Sequence, residues 1–249
     1  MIENEQLAFK ISFIHKINPC IRLLCAVILS FWVALSYDFK FLSGTFVLSI
    51  LFVVMASITP LEVLKRVKPL FIFLLMIWIF LPASFSGDTL FTFFIFDISK
   101  QGLIYCAMIT IKSITIILFF MAFVATMTIG VMGYALQKMY ISDKFVFLVL
   151  MTYRYIFVLA KEYERLVRAA KIRGFVPGTN IHSYKTYAYI AGMLFVRASM
   201  RAKRVYQAMI LRGFNGRFHA VGKFQLDKLS VFFFLIVLSF VAVYQWIIL

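Results

Sequence analysis

The 249-residue chain is short of charged residues, which make up 14% of it. Soluble domains carry about 25% charged residues, whereas 63% of this chain is hydrophobic and 18% is aromatic. Such a composition excludes an ordinary soluble globular protein, because too few polar residues remain to cover its surface. It is typical instead of a membrane protein with several spanning helices.

Acidic residues are the scarcest charged class. Ten Asp and Glu stand against 26 Lys and Arg, which gives a net charge of +16. An excess of this kind is also the footprint of nucleic-acid binding. Here, however, the basic residues alternate with long apolar segments, and positive charge beside such segments marks the cytoplasmic side of a membrane protein. We therefore expect the lipid bilayer as a partner and no nucleic acid.

Residues that ligate metals or carry out catalysis are also few. Cys20, Cys25 and Cys106 lie in or beside apolar segments without C-x-x-C spacing, which argues against a disulfide framework or a zinc site. The three histidines form no H-E-x-x-H motif. The sequence also has no G-x-x-x-x-G-K-[ST] loop for a nucleotide. We expect no metal site, no cofactor and no catalytic activity in this chain.

Five apolar segments are long enough to cross the hydrocarbon core of a bilayer, which takes about 20 residues. They cover 19–37, 41–58, 69–86, 102–127 and 229–248. Pro69 is expected to begin the third of them. The sequence thus predicts an all-α membrane protein with three parts: a four-span bundle over 1–128, a cytoplasmic region with two long helices over 129–228, and a last span over 229–249.

Lysine and arginine indicate the orientation. The loop between the second and third spans carries three basic residues within 65–68, whereas the loop between the third and fourth carries Asp88 and Asp97. By the positive-inside rule, the first of these loops and the N-terminus are cytoplasmic. Residues 138–228 hold 17 of the 26 basic residues and four acids, so this region is predicted to be cytoplasmic as well.

Two basic residues, Arg22 and Lys112, lie inside the predicted spans. A charged side chain in the hydrocarbon is costly unless it faces protein or water. Lys112 therefore either pairs within the helix bundle or takes part in transport, and the sequence leaves both roles open.

Two basic stretches end in the same pattern, R-x3-A-x3-R-G-F. Its two copies begin at Arg165 and at Arg204. Each copy closes a predicted helix, 143–173 or 182–212, and places a glycine where a helix takes a left-handed terminal residue. An arginine there suits the helix dipole, which accounts for a single occurrence but not for a repeat.

The repeat predicts two helix ends that dock on a partner. A small alanine one turn before each arginine leaves a thin surface, and the planar guanidinium suits a carboxylate. The phenylalanine after each glycine offers an apolar anchor. The candidate docking residues are Ala169, Arg173, Gly174, Phe175, Ala208, Arg212, Gly213 and Phe214.

The apolar first halves of the two long helices allow a second interpretation. Residues 145–160 and 186–196 are either two further spans or parts of amphipathic helices at the inner membrane face. Arg154, Gly192 and Arg197 interrupt the apolar runs, which favours the interfacial arrangement.

The chain resembles the transmembrane T component of energy-coupling factor transporters, and most of all its cobalt and nickel subgroup, the CbiQ type. The runs that carry the resemblance are 153–159, 169–175, 192–197 and 204–216. The resemblance implies that Arg173-Gly174 and Arg212-Gly213 dock on two ATP-binding cassette ATPase subunits. It also implies a CbiM-like substrate-binding S component, with or without a small CbiN-like subunit. Ile172 and Leu211 depart from the Ala-Arg-Gly triplet that is usual in the family.

The function implied by the resemblance is energy coupling in a prokaryotic cell (inner) membrane. ATP-driven closure of the ATPase subunits would move the two helix ends, and the long helices would pass this motion to the S component for cobalt or nickel uptake. Another ABC-type permease or a membrane scaffold for a different micronutrient is the alternative. A conventional permease carries a Glu-Ala-Ala-x3-Gly type signature, and a membrane enzyme needs a polar cluster inside its spans; the sequence has neither.

Overall fold

The computed structural model describes residues 12–84, 89–93, 96–214 and 228–248, and side chains over 12–82, 100–214 and 228–243. Residues 1–11 of the predicted cytoplasmic N-terminus, Asp88 of the predicted outer loop and residues 215–227 lie outside this part. The elements are α1 (Phe13–Lys16), α2 (Pro19–Leu35), α3 (Phe39–Met55), α4 (Pro60–Ser84), β1 (Thr89–Phe93), β2 (Phe96–Ser99), α5 (Lys100–Phe123), α6 (Ile129–Lys138), α7 (Asp143–Ile172), α8 (Ile181–Leu211) and α9 (Lys228–Ile248). The predicted helical class is confirmed, and β1 and β2 add one antiparallel strand pair.

The chain divides into two compact units. Residues 136–221 form one unit, which contains α7 and α8 and is called the hairpin unit below. Residues 2–135 and 222–249 form the other, the bundle unit.

Apolar helices dominate the bundle unit. Among the described residues, α5 is both long enough and apolar enough to cross a membrane, and α2, α3 and residues 228–243 of α9 are shorter apolar helices. Helices α2 and α3 have 17 residues each. Their starts, and those of α5 and α9, lie within two residues of the predicted starts of four of the spans.

The helix that contains most of the third predicted span begins nine residues before it. Helix α4 starts at Pro60 and contains Pro69 and Pro82 in its interior. The Glu62 carboxylate accepts a hydrogen bond from the Thr59 backbone N–H at 3.0 Å, which is half of a capping box, and Pro60 lies in the first turn, where no N–H is needed. The sequence interpretation took Thr59-Pro60 as the end of the second span and Pro69 as the start of the third, whereas the helix itself starts at Pro60.

A cluster of phenylalanines forms the core of the bundle unit where α3, α5 and α9 meet. The ring centroid of Phe52 lies 5.1 Å from that of Phe123, 5.7 Å from that of Phe233 and 6.2 Å from that of Phe119. The rings are tilted or edge-on to Phe52, arrangements that aromatic pairs favour. Through Phe233 the last helix is packed into the bundle formed by the first ones.

Arg22 of α2 ties this helix to the C-terminal end of α5. The side chain is 3% exposed and donates hydrogen bonds to the Phe123 carbonyl oxygen at 3.2 Å and to the Thr126 hydroxyl. Phe123 is the last residue of α5, so the guanidinium lies at the negative end of the helix dipole. The two helices are thereby held as an antiparallel pair.

Lys112 makes the reciprocal contact from α5 to α2. Its Nζ donates to the Ala34 carbonyl oxygen at 2.9 Å and lies 4.5 Å from the centroid of the Tyr37 ring. Ala34 is in the last turn of α2, so this cation also meets the negative end of its neighbour. Of the two roles left open for Lys112, the contacts in the structure agree with pairing within the bundle.

Replacing Arg22 with methionine should destabilise the bundle unit, because the carbonyl at the end of α5 loses its donor. Hydrogen bonds to a charged group contribute about 1.5–3 kcal/mol each. Part of this gain is offset in the native protein by the buried Nε of Arg22, which has no partner in the described part of the chain. We expect a net loss of about 2 kcal/mol of unfolding free energy, measured by denaturant titration in detergent micelles.

The matched control is Lys16→Ala, which removes an exposed cation at the end of α1, the helix that precedes α2. Its effect should stay within about 0.5 kcal/mol. If the two variants unfold at the same denaturant concentration as the native chain, the Arg22 contacts contribute nothing to stability.

Candidate docking site on the two long helices

Helices α7 and α8 are long, and most of their side chains are not buried by other parts of the chain. They have 30 and 31 residues and are each about 45 Å long at a rise of about 1.5 Å per residue. Asn180 caps the start of α8, since its side chain accepts the Ser183 N–H at 2.8 Å. Within the two helices only Val146, Ser183 and Ile190 are buried. Most of their surface is therefore available for contacts with other molecules.

The first R-G-F sequence forms a well-defined helix end. The Phe175 N–H donates to the Ala170 carbonyl oxygen at 3.1 Å, and the Gly174 N–H donates to that of Lys171 at 3.0 Å. This pair of bonds is a Schellman motif. Gly174 has φ +85°, a backbone conformation that glycine adopts without steric cost.

The second R-G-F sequence ends α8 in the same way. The Phe214 N–H donates to the Met209 carbonyl oxygen at 3.0 Å, and the Gly213 N–H donates to that of Ile210 at 2.9 Å. Gly213 has φ +79°. The predicted left-handed glycines are thus confirmed at both ends, and each arginine is the cap residue that directly follows its helix.

The two phenylalanines pack within the hairpin unit. Phe175 is 9% exposed, and its ring centroid lies 5.6 Å from that of Tyr187 and 6.3 Å from that of His182. The ring of Phe214 lies 5.3 Å from that of Phe147. Phe175 is therefore not free to act as the apolar anchor that the sequence led us to expect. Each phenylalanine instead holds one helix end against the beginning of the other helix.

The other six predicted docking residues are exposed and form two separate patches. We call Ala169, Arg173 and Gly174 with Ile172 the α7 end, and Ala208, Arg212 and Gly213 with Leu211 the α8 end. Because each end packs against the start of the other helix, α7 and α8 are antiparallel and their ends lie at opposite ends of the hairpin. The structure thus keeps the two patches apart by about one helix length, about 45 Å.

Sequence reasoning missed the apolar part of each end. Ile172 is 87% exposed and Leu211 is 88% exposed, and each is the last residue of its helix. They had been noted only as departures from an alanine. The signal was present in the sequence, because a large apolar residue precedes the arginine in both copies of the repeat.

Glu162 links the two helices near their middles. Its carboxylate accepts a hydrogen bond from Arg197 of α8 and lies 3.6 Å from Arg165 of its own helix. The hydrogen bond from Arg197, together with the charges of Arg197, Arg165 and Arg201, lowers the pKa of Glu162 despite some desolvation. One carboxylate thus organises three arginines at the centre of the hairpin.

An apolar groove of about 430 Å³ opens between α7 and α8. Its wall on the α7 side is formed by Phe147, Met151, Tyr155 and Leu159, which repeat every four residues and so share one helix face. Such a groove suits the apolar face of a helix from another protein. Over the side chains that the structure describes, no group of three or more His, Cys, Asp or Glu is placed to hold a metal ion.

The chain is similar to a family model and to several known proteins. Residues 10–221 match the model of the family CbiQ, described as a cobalt transport protein. The energy-coupling factor transporter transmembrane protein EcfT of Macrococcus caseolyticus is 26% identical over 220 residues, which cover 82% of each chain.

Two uncharacterized proteins of Methanocaldococcus jannaschii are also similar. One is 24% identical over 187 residues, or 73% of this chain, and the other is 32% identical over 85 residues, or 34% of it. The chain spans 64% of the length of the first and 31% of the second.

Alanine at Gly174 or Gly213 should loosen the corresponding helix end. No heavy atom lies within 4 Å of an added Cβ at either position, so the cost is conformational and amounts to about 1–2 kcal/mol for a left-handed residue. The amides of Phe175 and Phe214, which donate in the two motifs, should exchange with solvent faster. Gly192→Ala is the control, since it also has open space but lies inside α8 and should stabilise the helix by about 0.5–1 kcal/mol. Unchanged exchange in the first two variants would contradict this account.

The ion pair of Glu162 predicts that the hairpin unit is sensitive to acid. The pKa of Glu162 is lower in the folded chain than in the unfolded one, where it is about 4.3. The stabilisation is therefore fully present above that value and is lost as the pH falls through the folded pKa. Below about pH 4 the protection factors of the amides in α7 and α8, which correct for the slower intrinsic exchange in acid, should fall, and in Glu162→Gln they should be lower already at neutral pH. Glu164→Gln, on the exposed side of the same turn, should behave as the native chain; identical profiles for the two variants would refute the assignment.

Proposed function

The chain belongs to the CbiQ family of cobalt transport proteins, and from this premise we propose that it is the transmembrane energy-coupling component of an ABC importer of the energy-coupling factor type. Two ATPase subunits bind the α7 end and the α8 end, and a substrate-binding S component packs against the long helices. The observation that carries this proposal is the pair of identical helix ends held about 45 Å apart on one hairpin.

Each helix end carries the chemistry for recognising an acidic groove. Arg173 and Arg212 are exposed. The Schellman motif that includes each arginine fixes the position of its backbone. A guanidinium pairs with a carboxylate through two parallel hydrogen bonds, which gives the contact direction as well as energy. We infer that each ATPase subunit offers a carboxylate at the bottom of its docking groove.

The hairpin is suited to transmit motion. ATP-driven closure of two subunits brings their docking grooves together, and two stiff helices joined at Glu162 and Arg197 respond by changing their crossing. The apolar groove beside this contact gives the S component a surface that moves with the helices. Members of this family are membrane components of transporters. In this proposal ATP is hydrolysed on the partner subunits.

We propose that α2, α3, α4, α5 and α9 are the five spans and that the N-terminus is cytoplasmic. Basic residues 65, 66 and 68 are exposed in the first turns of α4, which supports a cytoplasmic start for that helix. Helices α2 and α3 are about 25 Å long, shorter than the hydrocarbon core of about 30 Å. The bilayer around them is therefore expected to be thinned, or the chain at their ends to lie within it.

Cobalt is the proposed cargo because the matching family is described as a cobalt transport protein. Nickel is the alternative that the resemblance leaves open. In this architecture the S component binds the ion, so the choice between them lies outside this chain.

The double variant Arg173→Glu, Arg212→Glu tests the proposal. Both residues are exposed, so the variant should insert and fold. It should lose the ATPase subunits, because an ion pair broken by removing one partner costs about 3–5 kcal/mol, more than a hundredfold in affinity at about 1.4 kcal/mol per factor of ten. The measurements are co-purification of the ATPase subunits in mild detergent and uptake of radioactive cobalt and nickel by cells that express the whole complex.

The matched control reverses the charge of an arginine away from both ends. Arg154 lies in the middle of α7 and is exposed, so Arg154→Glu should retain the ATPase subunits. Native uptake and co-purification by the double variant would show that the two arginines only complete their helix ends.

A further inference from the structure

Ile172 and Leu211 are highly exposed apolar side chains at the two helix ends, and the docking role proposed for the arginines does not account for them. We infer that they are apolar specificity anchors, each of which enters an apolar pocket beside the carboxylate that pairs with Arg173 or Arg212. This inference rests on the proposed function. It adds which side chains decide the ATPase subunits that this chain accepts.

The exposure of the two side chains calls for a partner. At 87% and 88% exposure, Ile172 and Leu211 lie almost entirely in solvent, although a burial of such a side chain is worth about a tenfold to hundredfold change in an equilibrium constant. Their positions match, since each ends its helix and precedes the cap arginine. A single exposed apolar residue needs no explanation, but two at equivalent positions of a repeat indicate a common contact.

The backbone holds both anchors in fixed positions. Each is followed by the left-handed glycine and the Schellman bonds, and Phe175 and Phe214 fasten the two ends to the hairpin. An anchor that is already ordered loses little conformational entropy on binding. A rigid apolar side chain next to a charged one is the arrangement found in energetic hot spots of interfaces.

Charge favours a protein groove over the bilayer as the occupant of these ends. Ile172 lies between Lys171 and Arg173, and Leu211 precedes Arg212. A helix that lies in a membrane surface shows a continuous apolar face along several turns. Here the exposed apolar side chains at each end are confined to its last turn or the residues after it, Ile172 with Val176 and Ile210 with Leu211, and they lie beside cations. A groove with an apolar pocket beside its carboxylate complements that pattern.

Size then gives selectivity. A groove shaped for alanine before the arginine has no room for isoleucine or leucine, because extra methylene groups in a packed site force its atoms apart. In a groove shaped for the larger side chains, an alanine leaves a cavity. Discrimination therefore works in both directions.

The test compares Ile172→Ala, Leu211→Ala and the double variant with the native chain. The probe is the pair of ATPase subunits that co-purifies with the native chain, and the measurement is their dissociation constant in mild detergent. Each single change should weaken binding about tenfold, and the double change about a hundredfold or more. Ile181→Ala is the control, because Ile181 is 75% exposed at the start of α8 but precedes no cap arginine; it should bind as the native chain does.

The outcomes separate this inference from the proposed function. If the double alanine variant binds with native affinity while the double arginine variant does not, the anchors are refuted and the docking arginines stand. If both bind normally, or if the native chain retains no ATPase subunit, both proposals fail.

A fluorescent label on the variant Ile172→Cys tests whether this helix end contacts the ATPase subunit or the bilayer. The native cysteines Cys20, Cys25 and Cys106 are buried, so a thiol-reactive fluorophore should attach at position 172. We expect the ATPase subunits to shield it. Quenching by brominated phospholipid in vesicles without any change on addition of the ATPase subunits would overturn the inference.

Discussion

The packing of one phenylalanine ring behind each left-handed glycine is the contact on which the hairpin unit depends. A helix that ends in a Schellman motif turns its next residue back, and here that residue is Phe175 or Phe214. Each ring lies against an aromatic side chain near the start of the other helix. The same three residues therefore end a helix, present an arginine and fasten the antiparallel pair. The spacing, direction and rigidity of the α7 end and the α8 end all follow from this arrangement.

Electrostatics makes the hairpin incomplete by itself. Eleven Lys and Arg lie along α7 and α8, six in the first helix and five in the second, and like charges along two adjacent helices repel. Glu162 relieves this at one place, where its carboxylate meets Arg197 and Arg165. Towards the helix ends no equivalent acid pairs with the described side chains of Arg173 or Arg212 in a salt bridge. Acidic groups of a partner at those ends would complete the charge balance.

Local signals made much of this fold predictable from the sequence. The limits of α7 and α8 and the conformation of Gly174 and Gly213 depend on neighbouring residues, and the prediction placed them within one residue. Contacts between distant segments were out of its reach. Nothing near Phe175 in the sequence indicates Tyr187 as its neighbour, and nothing near Lys112 indicates the Ala34 carbonyl. Such contacts decide the burial of Phe175 and the exposure of Ile172, so the sequence alone could not tell which apolar side chain at this helix end is exposed.

The two units differ in how densely their helices are packed. In the bundle unit, Arg22 and Lys112 fasten both ends of the α2–α5 pair, and the cluster around Phe52 binds in the last helix. In the long helices of the hairpin unit three residues are buried. Segments with few buried contacts open and shift at low cost, whereas densely packed ones do not. The crossing of α7 and α8 is therefore expected to change at a lower cost in free energy than the packing of α2, α3, α5 and α9 within the bundle unit.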